Sequence, residues 1–207
     1  MKEIITKVYE LDELNDKAKE KARDWFKSTI SDDTFWYECV IDDAKNLASL
    51  MGINISKIYF SGFSSQGDGA CFIGNFDSKE VKQGAVKQEA PNDEELNRIA
   101  SEFERLAKVF PNLTFNTKHN TVRYNHENSV DFDFEFFQDE DEANIPEQYK
   151  GNMGQAVQDV KEASKDFMRW IYKQLEKEWD YQNSNECVDE NIRANEYTFT
   201  ESGVRFG

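Results

Sequence analysis

Three carboxylates at alternate positions, Asp131, Asp133 and Glu135, are the residues of this sequence best spaced to act as a group. On a strand, alternate residues share one face at a step of about 6.6 Å. Two or three carboxylates so placed can share a divalent ion and act on nucleotides or nucleic acid. That chemistry also needs basic groups to hold phosphate, and Arg123 is the obvious neighbour. A plainer alternative is a solvated strand face whose charge discourages edge pairing. A third reading is electrostatic. With Asp139, Glu140, Asp141 and Glu142 the group makes seven acids in twelve residues. A regular row of carboxylates resembles one edge of a phosphate backbone. A protein that grips nucleic acid with Lys and Arg can grip such a row instead.

The stretch "YFSGFSSQGDGACFIGNF", residues 59–76, holds the second candidate. Gly62-x-x-x-x-Gly67 has the glycine spacing of a phosphate-binding loop, which then requires Lys and Ser or Thr. Asp68 and Gly69 stand in those places, and a carboxylate repels phosphate. The nucleophile pattern G-x-S-x-G fails at Gln66. What remains is a hairpin connection in which Gly67 and Gly69 permit positive φ and Asp68 bonds nearby amides. Its small polar side chains, Ser64, Ser65, Gln66 and Asp68, are candidates for contact with a partner. Capture of a nucleotide signal is a further alternative, although the loop has no Lys or Arg for the phosphate. Cys71 with His119 or His126 makes a nucleophile pair only if their strands adjoin; a buried free thiol is the simpler reading. No Cys/His cluster has zinc spacing, and no cofactor is expected.

The elements that position these residues follow from periodicity. "IITKVY" (4–9) reads as a short strand. Leu11, Leu14, Ala18, Ala22, Trp25, Phe26 and Ile30 line one helix, capped by Asp12 or Asn15. Residues 31–52 supply a second helix, and 59–76 the hairpin. Residues 77–92 read as a loop. A helix follows, with Asn92 and Glu95 as its capping box and Leu96, Ile99, Ala100, Phe103, Leu106, Ala107 and Phe110 at helical spacing before Pro111. "NLTFNTK", "TVRYNH" and "SVDFDFEFF" read as strands. In the last, Val130, Phe132, Phe134 and Phe136 face one way and Asp131, Asp133 and Glu135 the other. An acidic linker at about 138–152 precedes a long helix over about 155–179, a short helix and a final hairpin turning at Glu201-Ser202-Gly203. The expected architecture is a single α+β domain over 1–207: an antiparallel sheet of hairpins with about four helices on one face.

Composition narrows the function. The 207 residues carry 25 basic and 41 acidic side chains, a net of −16. Such a chain is repelled by nucleic acid and by anionic membranes, so neither is an expected direct partner. Sixteen Phe, eight Tyr and four Trp supply an ordered core despite 38% hydrophobic content. Three widely spaced cysteines point to free thiols in a reducing, cytoplasmic compartment, and the opening "MKEIITKVYELDEL", which holds no apolar h-region, fits that expectation.

Three segments together, "LNDKAKEKARDWF" (14–26), "YFSGFSSQGDGACF" (59–72) and "IRANEYTFTESG" (192–203), resemble a group of small bacteriophage and prophage proteins often labelled antitoxin of a toxin–antitoxin stability system. The resemblance implies a setting, the bacterial cytoplasm during infection or lysogeny, and no catalytic residues. The expectation is an acidic, non-enzymatic accessory protein. It would bind a host defence or toxin protein with a basic, nucleic-acid-handling surface, through Asp131, Asp133, Glu135 and 139–142, with loop 64–69 as a second contact.

Overall fold

The computed structural model describes residues 2, 5–30, 35–121, 124–135, 149 and 153–207. The fold is α+β. Its helices are α1 (Asp16–Ile30), α2 (Phe35–Leu50), α3 (Ala85–Glu89), α4 (Glu94–Val109), α5 (Met153–Gln182) and α6 (Asn185–Ala194). Its strands are β1 (Met51–Phe60), β2 (Ala70–Val81), β3 (Thr114–His119), β4 (Val130–Glu135), β5 (Thr198–Phe199) and β6 (Arg205–Phe206). The chain divides into two compact units, residues 40–175 and residues 1–39 with 176–207.

The larger unit is built on a four-stranded antiparallel sheet in chain order, β1-β2-β3-β4. Inward residues Ile53, Ile55, Phe72, Phe76 and Phe115 are buried, as period-two alternation requires. Helix α4 lies over this face, Phe103 meeting Phe76 at 5.5 Å between ring centroids. Helix α5 joins it through Phe167, 6.2 Å from Phe72. Leu96, Ile99, Phe103 and Leu106 complete one contiguous apolar stripe of α4.

Two features of β2 fix its neighbours. An added Cβ at Gly74 would lie 2.2 Å from the Asn54 carbonyl oxygen of β1, so only glycine permits that approach. The buried Thr117 hydroxyl of β3 accepts from the Gly74 amide at 2.8 Å and lies 3.2 Å and 3.1 Å from the carbonyls of Phe72 and Gly74. One side-chain hydroxyl thus continues the β2–β3 contact beyond three residue pairs, Asn75–Asn116, Phe76–Phe115 and Asp77–Thr114. Ser78 is less well served. Its hydroxyl is buried and, among the described residues, has no hydrogen-bond partner. Ser78→Ala is therefore expected to leave stability unchanged or raise it by about 1 kcal/mol, read from a urea midpoint at constant m.

In the smaller unit, Leu11, Leu14, Ala18, Ala22, Ile30, Val188, Ile192 and Phe199 form the core, flanked by Trp25, Trp36, Trp179 and Tyr197. Asn15 caps α1 through the Ala18 amide at 3.0 Å, one of the two caps expected. Arg23 of α1 grips Asp189 of α6 with two hydrogen bonds of 2.7 Å.

Several expectations need correcting. Residues 5–8 are exposed and form no strand; Tyr9 alone bridges Phe199, because β5 is only two residues long. Residues 77–92 are not a loop: β2 continues to Val81, opposite Met51, and α3 follows with Val86 buried. The α4 cap is Asp93, not Asn92, since its carboxylate accepts from the Leu96 amide at 2.9 Å. Its other oxygen accepts from the Trp170 indole at 2.8 Å, which ties the cap to α5. Thr121, Tyr124, Asn125 and His126 lie in a connection, not a strand. The acidic linker falls outside the described residues except for Tyr149, which is buried.

Candidate functional site

Among the described residues strand β4 ends its sheet, and its residues alternate as its sequence demands. Val130 is buried and Phe132 and Phe134 half-buried, while Asp131, Asp133 and Glu135 are exposed. Opposite them on β3 stand Lys118, Asn116 and Thr114 respectively. Lys118 Nζ sits 3.4 Å from Asp133, with both side chains about 70% exposed (72% and 68%), so solvent screens the pair and it contributes little. The Asn120 amide donates to Asp131 at 3.0 Å. Among the described residues no three His, Cys, Asp or Glu side chains converge to hold a metal. Asp139, Glu140, Asp141 and Glu142 lie outside the described residues.

The pairing register adds a feature that reading along the chain does not show. Asn54 of β1 faces Asn75 of β2, Asn75 faces Asn116 of β3, and Asn116 faces Asp133 of β4. All four are exposed. They form one row straight across the sheet, on the face opposite α4 and α5. Their only sequence signal is asparagine inside otherwise apolar alternation, and only the register aligns them.

The connection between β1 and β2 is a hairpin, with Gly67 at φ 98°. Asp68 Oδ2 accepts from the amides of Ser64 and Ser65 at 3.0 Å and 2.7 Å. The Ser65 amide chiefly, with the Ser64 amide and the Ser61 hydroxyl, outweighs the cost of burial and holds this carboxyl below the usual range. Two of the loop's amides, which a phosphate would otherwise engage, thus already donate to the loop's own carboxylate. Ser64, Ser65 and Gln66 remain exposed. Tyr172 of α5 braces the loop, donating to the Gly62 carbonyl at 3.0 Å and stacking on Phe63. At Gly69 an added Cβ would meet His126 Cβ at 2.5 Å, so glycine lets residues 124–126 lie against the hairpin tip.

Cys71 and the two histidines do not form a nucleophile pair. Cys71 is fully buried, which pushes its thiol up to about 12 and keeps it protonated at neutral pH. Among the described residues it has no hydrogen bond to either ring. His119 stacks on Tyr59 at 4.8 Å and 6°, with Nε2 3.1 Å from the Tyr124 carbonyl, which requires the proton on Nε2. His126 Nδ1 accepts from the Asn128 amide at 3.0 Å. Both rings hold the segment that joins β3 to β4.

Residues 36–185 match the family model for a domain of unknown function, DUF8835. The chain belongs to the DUF8835 family. The DUF8835 region takes in all four strands of the large sheet, and with them the asparagine row, the acidic strand and the loop at 61–69. No curated protein and no solved structure matches the chain. Among the described residues of this DUF8835 protein, no helix is long and apolar enough to cross a membrane.

Proposed function

We propose that this is a binding protein whose open, acidic sheet face engages a basic surface of a protein partner. The observation that carries the reading is the placement of Asp131, Asp133 and Glu135 on the exposed side of a terminal strand, backed by a packed aromatic interior. The net charge of −16 adds long-range attraction for a cationic partner. The resemblance to phage and prophage proteins supports a partner drawn from bacterial defence or toxin systems that handle nucleic acid, met in the cytoplasm of an infected cell. The loop at 64–69 would serve as a second contact through Ser64, Ser65 and Gln66, with Asp68 holding its shape.

The test is affinity capture from infected bacteria with the wild type and with D131N/D133N/E135Q, each at low and high salt. A partner held by the wild type should be lost by about tenfold or more in the variant and at high salt, a change of ~1.4 kcal/mol or more in binding. A partner retained equally by both proteins through the salt series would dispose of the reading.

A further inference from the structure

We infer that the row Asn54–Asn75–Asn116–Asp133 is a reading surface for arginine side chains on that partner. The inference rests on the acidic-face reading above and extends its footprint from one strand to four.

The row is unusual for a merely solvated face. Asparagine is depleted in strands, where Thr, Lys or Glu supply polarity at less cost to the extended backbone. Here three asparagines stand on three neighbouring strands in one line. Strands lie about 4.8 Å apart, so the row from Asn54 to Asp133 spans about 14 Å. Among the described residues none of the three asparagine side chains has a hydrogen-bond partner, and all are exposed. Each offers a carbonyl acceptor and two donors on a planar group. Helices α4 and α5 pack on the other face, so among the described residues no packing contact of the sheet with these two helices requires these amides.

Charge and geometry select the occupant. The row ends on the Asp133 carboxylate, whose exposed, solvent-screened contact with Lys118 at 3.4 Å a guanidinium fork would displace, with Asp131 and Glu135 beside it on β4. A guanidinium is a planar fork of five donors with no acceptor. It pairs with a carboxylate and with an amide oxygen in the same plane. Lysine brings charge without that fork, so it satisfies the acidic strand but gains little from the amides. The asparagine NH2 groups remain to donate to main-chain carbonyls of the same segment. The carboxylates thus give attraction that salt screens, and the amides give a preference for arginine that salt leaves in place.

The test uses two labelled twelve-residue peptides, one alternating Arg and Ser, the other Lys and Ser. They are titrated into the wild type, into N54A/N75A/N116A and into D131N/D133N/E135Q. The wild type should bind the arginine peptide about tenfold more tightly than the lysine peptide, and the asparagine variant should lose that preference. The side-chain amide signals of Asn54, Asn75 and Asn116 in ¹⁵N spectra of the wild type should shift with the arginine peptide, a readout that needs no mutation. Equal affinity for both peptides, with both lost in the acidic variant, overturns this inference and leaves the acidic-face reading standing. Binding that ignores the acidic variant, or no binding at all, overturns both. Amide signals that move with protein concentration alone would mean that a second copy occupies the face, and the inference falls.

Discussion

Gly74→Ala should destabilise the protein by about 3 kcal/mol, a large share of the stability of an ordinary domain. The added methyl would lie 2.2 Å from the Asn54 oxygen, 3.0 Å from the Asn54 carbonyl carbon and 3.0 Å from Ile55 Cα. All three are main-chain atoms of β1, so no side chain can rotate to make room. Strands β1 and β2 must separate, which weakens their ladder next to the Asn54–Asn75 pair. A urea melt at unchanged m would report the loss as a lower midpoint. A midpoint within error of the wild type would show that β1 and β2 make room for the methyl without loss, and the prediction fails.

Tyr149→Phe should lose about 2–3 kcal/mol at neutral pH. Its hydroxyl donates a short hydrogen bond to Asp159 and accepts from Arg105 at 2.8 Å. Arg105 also pairs with Glu102. Burial of Asp159 disfavours its charge, but the bonds from Tyr149 and Gln155 and the charge of Arg105 more than offset this. Its carboxyl therefore titrates below the usual range. A carboxyl depressed in the folded state contributes stability above its unfolded pKa of about 3.9 and loses it as pH falls through the folded value. The gap between wild type and Tyr149→Phe should therefore be full at pH 7 and narrow below about pH 4. Melts across that range measure it, and a gap that stays constant would show that the hydroxyl does not act through the carboxylate.

Much of the architecture was legible because period and burial agree. Helix α4 repeats its apolar residues at three- and four-residue steps, and β4 alternates Val and Phe with acids, so both were placed from the sequence. The failures have local causes. "IITKVY" has the β-branched residues of a strand, but a strand also needs a partner, and β5 offers only Phe199 to Tyr9. Gly84, Pro91 and mixed charge in 77–92 read as a connection, yet Val86 is buried and anchors a short helix there. "TVRYNH" has strand-like residues, but the described ones serve a connection held by His119 and His126. The acidic strand was visible as a candidate because its pattern lies within one segment. The asparagine row was not, because its members are separated by long stretches of chain and only the pairing register aligns them.

The Thr117 hydroxyl has a mechanical consequence. Beyond three residue pairs it closes one end of the β2–β3 contact, and the Ser78 amide, donating to the Leu113 carbonyl at 3.1 Å, closes the other. The sheet is thus two leaves joined along a narrow seam: the β1–β2 leaf bears Asn54 and Asn75, and the β3–β4 leaf bears Asn116 and the acids. Anything that spans the row from Asn54 to Asp133 therefore touches both leaves at once.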